Sequence, residues 1–267
     1  MLHIMIDAYG VDSPKLDNLK SVYDSIVKTT NFLGVKTIMP PYLVPYYYGS
    51  VKEDDGISAF VLLKGGHFTI HTFPQRECYF VDMLYDGFVN ESKLLEILHA
   101  EMPFAQHIVH ALDRRFDIEG QIKETEIDEN KDFGPHYLMR NLAPVELDMD
   151  KIFEFLDALP VLINMDPISR PCVITDSVRN PQIISGLTVI AQSHIALHYY
   201  KEEKRFWLDI FSCSFIECDN IIHTVENMLG TSCEWRLISR GSKHENKLTE
   251  RDEYISRFNA WQENIRG

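Results

Sequence analysis

One segment of this chain occurs twice, and this internal repeat constrains the fold more than any other feature. The two copies are residues 56–88, GISAFVLLKGGHFTIHTFPQRECYFVDMLYDGF, and residues 186–215, GLTVIAQSHIALHYYKEEKRFWLDIFSCSF. Equivalent positions are 127 residues apart, and the matching polar pairs are His67 and His194, His71 and His198, and Asp82 and Asp209. A repeat of this kind predicts two similar structural units that share one core.

Each copy has the pattern of two β-strands joined by a tight turn. In the second copy, Ile195 and Leu197 keep the period-two apolar spacing of a strand, and residues 206–211 supply its partner. The charged residues 199–204 form the turn between them. Neighbouring strands bring side chains that are distant in sequence close together, so we expect any chemistry of the repeat to lie on this hairpin.

The two copies differ at the positions where chemistry would lie. Gly66 stands where the second copy has Ser193, and Asp86 stands where it has Cys213. The second copy therefore combines a hydroxyl, a thiol and the imidazole of His198 on neighbouring strands. We predict that this copy carries the reactive groups and that the first copy is mainly a scaffold.

The apolar pattern of the whole chain predicts two halves of the form β-α-β-β-β-α-β. Helices would lie on one face of an antiparallel sheet in each half, and the two sheets would pack face to face. The expected fold is therefore α+β, a two-repeat, four-layer α-β-β-α sandwich.

The boundaries of the two halves follow from charge and from turn residues. The segment after residue 112 is charged and poor in apolar residues, which is typical of a linker. The predicted units are a first repeat over 1–112, a linker over 113–141, and a second repeat over 142–267 that ends in a polar helix at 244–265. Further predictions are short strands at 35–39 and 161–164 and a loop at 40–55.

Composition excludes some functions. The 267 residues have a formal net charge of −14, and because phosphate binding needs clustered Lys and Arg, we predict no nucleic-acid partner. Five cysteines without a CxxC or Cys/His spacing predict reduced thiols, a cytoplasmic protein and no metal site. The N-terminal sequence MLHIMIDAYG has neither a basic stretch nor a long apolar run, so we expect no signal peptide and no membrane partner.

The string Ser193-His194-Ile195-Ala196-Leu197-His198, followed by Asp209-Ile210-Phe211-Ser212-Cys213, resembles the bacterial and archaeal S-adenosylmethionine decarboxylases. Their signature has the form E-S-H-x-x-I-H-T-W-P-E, then D-V-F-x-C. Residues 65–74 of the first copy, GGHFTIHTFP, match the outer part of that signature but lack its Ser and Cys. The resemblance implies a fused, two-copy form of the family with one surviving site, as a monomer or a homodimer of the fused chain.

The resemblance also implies that the chain processes itself. The Ser193 hydroxyl would attack the carbonyl of Gln192, and the chain would then be cut to leave a pyruvoyl cofactor at residue 193. A ketone beside a carbonyl is an electron sink, which stabilises the carbanion left when carbon dioxide departs. His198 would assist processing, and Cys213 would return a proton to the carbanion, because an ordinary thiol is mostly protonated at neutral pH.

Substrate-binding residues follow from the same resemblance. Tyr200 takes the place of the Trp that packs against adenine, Glu202 falls at the acidic position that would hold ribose hydroxyls, and Phe73 is a wall of the pocket. The residue before the serine is Gln192 where the signature has Glu. Three functions stay open. They are decarboxylation of S-adenosylmethionine for polyamine (spermidine) synthesis, the same chemistry on ornithine or arginine, and ligand binding or regulation by a non-catalytic paralogue.

Overall fold

The structure, a computed structural model, describes most of the chain. The described residues are 1–47, 49, 51–115, 127–177, 179–191, 193–213, 215 and 218–242. Gln192 and the helix predicted at 244–265 lie outside them. Within the described residues, no helix is long and apolar enough to cross a membrane.

The part of the chain that the structure describes contains twelve strands, five α-helices and two short 3-10 helices at Lys52–Asp54 and Pro74–Arg76. The strands are β1 (Leu2–Tyr9), β2 (Tyr42–Tyr46), β3 (Gly56–Leu63), β4 (Gly66–Phe73), β5 (Cys78–Tyr85), β6 (Gln106–Asp113), β7 (Gly134–Leu142), β8 (Cys172–Thr175), β9 (Ile183–Ile190), β10 (Ser193–Tyr200), β11 (Arg205–Phe211) and β12 (Glu234–Arg240). The helices are α1 (Ser13–Leu16), α2 (Leu19–Leu33), α3 (Glu91–Glu101), α4 (Met149–Leu162) and α5 (Cys218–Leu229).

The strands form two antiparallel six-stranded sheets of the same topology. The first sheet has the order β2-β3-β4-β5-β1-β6, and the second, written from its other edge, has the order β8-β9-β10-β11-β7-β12. Each strand of the first sheet therefore has an equivalent in the second. The internal duplication read from residues 56–88 and 186–215 extends over both complete sheets.

The helices cover the outer faces of the two sheets. Val22 and Ile26 of α2 and Leu94 of α3 pack into one core with the first sheet, whereas Ile152 of α4 and Val225 of α5 pack into a second core with the second sheet. The inner faces contact each other directly. Between the two sheets lies a further apolar cluster, which consists of Phe60 and Leu62 from the first sheet and Leu187, Val189 and Ala196 from the second. The predicted four-layer α-β-β-α sandwich is confirmed.

Local sequence explains where the helices begin and end. The Asn18 side chain accepts a hydrogen bond from the Ser21 amide and caps α2, and Gly34 ends that helix with a φ of 68°. Asn90 and Asp148 cap α3 and α4 in the same way. Each of these three helices thus follows a side-chain oxygen that satisfies one of its free amide groups.

Several boundaries differ from the sequence predictions. The strand predicted at 35–39 is replaced by an isolated bridge at Thr37, and β2 lies in the segment predicted to be a loop. The strand predicted at 161–164 is wrong because α4 continues through Pro160 to Leu162. The linker predicted at 113–141 is too long, because β7 already begins at Gly134 and pairs with β11 and β12.

Candidate active site

The hydroxyl of Ser193 is buried at the first residue of β10. Its Oγ atom has no hydrogen-bond partner among the described residues. On one side β10 pairs with β9, so that Ser193 lies opposite Ile190. On the other side β11 ends at Phe211, opposite His194, so Ser193 lies just beyond the end of that strand pair. The reactive position predicted from the repeat is therefore a buried hydroxyl at a strand start.

The equivalent position of the first copy has no room for a side chain. A Cβ atom at Gly66 would lie 1.8 Å from the carbonyl oxygen of Leu84, which is a backbone atom that cannot move freely. In that copy β5 runs to Tyr85, one residue further than the equivalent strand β11. The closer strand contact explains why glycine occupies the position equivalent to Ser193.

Cys213 and Phe73, both predicted site residues, lie at the same end of the sandwich as Ser193. The Cys213 thiol donates a hydrogen bond of 3.3 Å to the carbonyl of Ala191, two residues before Ser193. The side chains of Cys213 and Phe73 pack into one aromatic cluster with Phe80, Phe133 and Phe211. The structure thus brings Phe73 of the first copy to the thiol of the second copy.

Sequence analysis missed Phe133, because it lies in the segment predicted to be a linker. Its side chain is only 2% exposed, and its ring centroid is 4.8 Å from that of Phe73 and 4.6 Å from that of Phe80. The residue precedes β7 directly. Its burial shows that the second unit begins earlier than charge alone indicates.

The structure does not bring His198 to Ser193. Both residues lie on the uninterrupted strand β10, where five residues span roughly 16 Å. The His198 ring contacts Ser185 Oγ through Nδ1, at 2.8 Å, and His67 Nδ1 through Nε2, also at 2.8 Å. The prediction that His198 assists Ser193 therefore fails on distance.

The histidine that reaches the start of β10 comes from the other copy. His71 Nε2 lies 2.9 Å from Nδ1 of His194, the residue after Ser193, and His71 Nδ1 lies 2.8 Å from Ser58 Oγ. His71 also packs against Phe211, with 5.9 Å between ring centroids. Because the two sheets run past each other, the end of β4 in one copy faces the start of β10 in the other.

Tyr200 and Glu202 lie at the opposite end of the sandwich from Ser193. Tyr200 is the last residue of β10, roughly 23 Å along the strand from Ser193. Its hydroxyl donates to the carbonyl of Gly65 at 3.1 Å, and Glu202 is exposed in the turn that follows. The prediction that these two residues bind substrate at Ser193 is therefore not supported by their positions.

A cavity of about 480 Å³ opens at that opposite end. Asp86, Arg140, Tyr200 and Trp207 are among its lining residues. Burial, followed by the neighbouring carboxylate of Asp86, raises the pKa of Tyr200 far above its ordinary value, so its hydroxyl stays protonated. The cavity thus combines charged groups with one aromatic wall next to Gly65 and Gly66.

Imidazoles and carboxylates fill the centre of the layer between the sheets. Burial lowers the pKa of His71, His136, His194 and His198, so these rings are neutral at neutral pH. His136 was not identified from sequence, because β1 and β7 lie outside the strong repeat. Register supplies the missing signal: His3 pairs with Leu84 and His136 with Phe211, which are themselves equivalent.

Two buried arginines pair with carboxylates across the same layer. Arg114 binds Asp209 and also donates to the carbonyl of Met139 at 2.8 Å. Arg240 donates to Asp7 at 2.8 Å from its Nε atom. Both pairs are fully buried, and each joins the first sheet to the second. Asp7, Arg114 and Arg240 lie outside the repeat from which the site was predicted.

The model of the S-adenosylmethionine decarboxylase family matches residues 2–115 and 144–241. The chain therefore belongs to the S-adenosylmethionine decarboxylase family. The two matched segments correspond to the two structural units.

Individual relatives are distant. The S-adenosylmethionine decarboxylase proenzyme of Aquifex aeolicus is 29% identical over 86 residues, which are 32% of this chain and 58% of that protein. The proenzyme of Brevibacillus brevis is 23% identical over 129 residues, covering 46% of this chain and 92% of that protein. The crystal structure of the Aquifex aeolicus adenosylmethionine decarboxylase aligns with a TM-score of 0.37 and 20% identity, over 48% of this chain and 95% of that chain. The sequence match thus spans little more than half the length of the Aquifex aeolicus proenzyme.

Proposed function

We propose that this chain is a self-processing, pyruvoyl-dependent decarboxylase of S-adenosylmethionine that cleaves itself between Gln192 and Ser193. The observation that carries the proposal is the buried Ser193 hydroxyl, which has no hydrogen-bond partner among the described residues. The Cys213 thiol donates to the carbonyl of Ala191, two residues before Ser193. A buried hydroxyl without a hydrogen-bond partner does not stabilise the fold, so its presence is better explained by a reaction at this position. Relatives of the chain are named as proenzymes, which supports processing.

The surroundings of Ser193 fit a pyruvoyl group. When present, that group would supply the electron sink on which loss of carbon dioxide depends. The aromatic cluster of Phe73, Phe80, Phe133 and Phe211 would exclude water from this end of the sandwich and provide a flat apolar wall for a substrate base. Cys213 would hold a proton on its sulfur, beside the Ala191 carbonyl, and return it to the substrate carbon.

We assign the assisting imidazole to His71 of the first copy. It is neutral, because burial lowers its pKa, so its Nε2 lone pair, which faces His194 next to Ser193, can accept a proton. Ser58 and His194 fix the orientation of its ring at 2.8 and 2.9 Å. Under this assignment each copy supplies part of one site: the first supplies Ser58, His71 and Phe73, and the second supplies Ser193 and Cys213.

The intact mass of the freshly purified chain tests the proposal. We expect two fragments, 1–192 and 193–267, and a shorter fragment that begins with a blocked pyruvoyl residue. The Ser193→Ala variant should remain a single chain and should release no carbon dioxide from S-adenosylmethionine. A parent chain that stays unmodified after long incubation would contradict the catalytic proposal. If the chain is cleaved but releases carbon dioxide from ornithine or arginine alone, the chemistry is correct and the substrate is wrong.

The cavity beside Tyr200 favours a second function, binding of a ligand by a non-catalytic paralogue. Its Arg140 and Asp86 side chains can recognise a charged ligand, and Trp207 and Tyr200 can pack on an aromatic one. Calorimetric titration of the uncleaved Ser193→Ala variant with S-adenosylmethionine tests this function. Binding that is lost in Trp207→Ala but kept in Phe73→Ala would locate the ligand in this cavity.

We infer a cytoplasmic location from the cysteines. All five are reduced thiols in the structure, which is typical of a reducing compartment. Pairing of the two units within one chain already builds the complete sandwich, so the proposed site needs no second copy.

A further inference from the structure

The layer between the two sheets contains six buried histidines, three from each sheet. They are His3, His67, His71, His136, His194 and His198, and none is more than 2% exposed. So many imidazoles out of water are costly unless their nitrogen atoms find partners. The mechanism proposed for Ser193 uses only His71 directly, so the other histidines need a separate explanation.

One carboxylate lies at the centre of this layer. Asp82 Oδ2 is 3.2 Å from His194 Nε2 and 3.3 Å from His136 Nε2, and Asp82 Oδ1 is 3.7 Å from His67 Nε2. His3 Nε2 contacts Asp82 Oδ1 as well. Ligands that share one metal ion at distances of 2.0–2.2 Å are themselves about 3.0–3.5 Å apart. The ligand atoms of His67, Asp82 and His194 all lie within 4.8 Å of one another, so a small shift of the side chains would bring them to the spacing of a metal-ligand set.

Several of these atoms have no other partner. The Nε2 atoms of His67, His136 and His194 and the Oδ2 atom of Asp82 are buried and make no hydrogen bond to any residue that the structure describes. Orphaned polar atoms that converge on one point indicate a group that would satisfy them together. Nitrogen and carboxylate atoms in this mixture suit a divalent transition metal such as Zn²⁺.

The outer hydrogen bonds leave the required lone pairs free. His67 Nδ1 is bonded to His198 Nε2 at 2.8 Å, and His194 Nδ1 is bonded to His71 Nε2 at 2.9 Å. If the Nδ1 atoms of His67 and His194 donate, then His198 and His71 can donate from Nδ1 to Ser185 and Ser58, each at 2.8 Å. This assignment gives a partner to every ring nitrogen of these four histidines except Nε2 of His67 and Nε2 of His194. The hydrogen bonds at Nδ1 hold the two rings in place, as is typical of metal-binding histidines.

His136 takes a different role. Arg240 donates to its Nδ1 atom at 3.0 Å, so its Nε2 atom carries the hydrogen and cannot bind a metal. That nitrogen faces Asp82 and can support the carboxylate. His3 Nε2 is hydrogen-bonded to Asp82 Oδ1, so His3 also supports the carboxylate and is not counted among the ligands.

Charge gives an independent argument. Asp209 is paired with Arg114 and Asp7 with Arg240, but the ionic contacts of Asp82 within the described residues are to imidazoles alone. The carboxylate of Asp82 is buried and has no arginine or lysine beside it among the described residues. A buried anion needs a countercharge.

We propose that His67, Asp82 and His194 bind one divalent transition-metal ion between the two sheets. Two of the ligands belong to the first unit and His194 belongs to the second, so the ion would join the units. Three protein ligands leave one position of a tetrahedral shell for a water molecule or another small ligand. Sequence analysis predicted no metal site, because the ligands come from β4, β5 and β10 and form no short motif.

Titration of the intact, chelator-treated chain with Co²⁺ tests the proposal. We expect visible absorption of a tetrahedral Co²⁺ site at one ion per chain, displacement of that ion by Zn²⁺, and a melting temperature that rises with stoichiometric Zn²⁺. Because these readings use the parent chain, they do not depend on whether a variant folds. No absorption and no change in melting temperature would overturn the site and would mean that an imidazolium ion compensates Asp82.

Matched variants locate the ion. His194→Gln should weaken Zn²⁺ binding at least 100-fold, whereas His71→Gln, which removes an outer partner, should weaken it about 10–100-fold. His99→Gln removes an exposed histidine and should leave the affinity unchanged. Equal losses for His99→Gln and His194→Gln would mean that the metal binds at the surface and would also overturn the proposal.

Discussion

The two ends of the sandwich are equivalent by duplication but differ in chemistry. The Ser193 end contains Ser193 and Cys213 from the second copy and Phe73 from the first. The Gly66 end contains Gly66 and Asp86 from the first copy and Tyr200 from the second. Each end is therefore assembled from both copies, because the end of a strand in one sheet faces the start of the equivalent strand in the other.

This arrangement explains an unequal pattern of sequence change. The first copy lacks the Ser and the Cys but keeps His71-Thr72-Phe73-Pro74, which matches the family signature. The second copy keeps the Ser and the Cys but has Tyr199-Tyr200-Lys201 at the equivalent positions. Under the proposed function, both losses fall on the Gly66 end. Each site is built from both copies, so losses that differ between the copies can fall on one site and leave the other complete. Losses confined to one copy would have damaged both sites.

Replacement of each of the two equivalent histidines gives the largest expected difference in the rate of self-cleavage. We expect His71→Gln to slow self-cleavage about 10²–10⁴-fold, because it removes a positioned proton acceptor from the Ser193 end. Its equivalent, His198→Gln, should cleave within about tenfold of the parent rate, since His198 faces the Gly66 end. The measurement is the fraction of cleaved chain over time on a denaturing gel.

Ser58→Ala and Ser185→Ala test the same comparison between the two copies, with a smaller expected effect on cleavage. Ser58 orients His71 and Ser185 orients His198, at 2.8 Å in both cases. Cleavage should be slower in Ser58→Ala than in Ser185→Ala. A larger effect of His198→Gln and Ser185→Ala would show that the assisting histidine belongs to the second copy, as the signature alone implied.

A smaller effect, on the free energy of unfolding, is expected at Gly66, where the neighbouring strand leaves no room for a side chain. Gly66→Ser should lower the free energy of unfolding by about 2–3 kcal/mol, because its Cβ atom would meet the Leu84 carbonyl oxygen and the strands would have to separate. Urea unfolding, measured in the uncleaved Ser193→Ala background, gives this value. The variant should also produce no new cleavage product.

The reverse substitution is the matched control. Ser193→Gly removes a side chain from the equivalent position, where no backbone atom has to move, and should cost about 0.5–1 kcal/mol through backbone entropy. If Gly66→Ser is as stable as its background, strand contact is not the reason for glycine in the first copy.

Sequence predicted the sandwich because its strongest signal, a constant spacing of 127 residues, reports the repeated topology directly. The hairpin, α3, α5 and β8 have local patterns that need no tertiary information. β7 was missed because Gly134-Pro135 and the preceding charged run resemble a loop, and only its pairing with β11 and β12 makes it a strand. Tertiary pairing thus overrides local composition there.

The same distinction between local sequence patterns and tertiary contacts applies to the residues of the candidate site. Ser193, Cys213 and Phe73 lie at one end, as expected, because the signature assigns each to the right strand position. His198, Tyr200 and Glu202 were placed there wrongly, because a signature read along one copy cannot tell which copy faces which end. His3, His136, Arg114 and Arg240 were missed because buried charge pairing across two sheets depends on contacts between residues far apart in sequence.

The smallest predicted effect concerns the wall of the Gly66 end. Tyr200→Phe removes the hydrogen bond to the Gly65 carbonyl and the contact with Asp86, and it should lower the free energy of unfolding by about 1 kcal/mol. Tyr23→Phe, at an exposed helix position, should have no measurable effect. At the Ser193 end, Phe73→Tyr would instead bury a hydroxyl within the aromatic cluster and should cost about 1–3 kcal/mol. Opposite preferences for tyrosine and phenylalanine at these equivalent positions would show that the two ends are now held together differently. Equal tolerance at both positions would mean that the walls are still interchangeable, and that the differences between the ends are confined to Ser193 and Cys213.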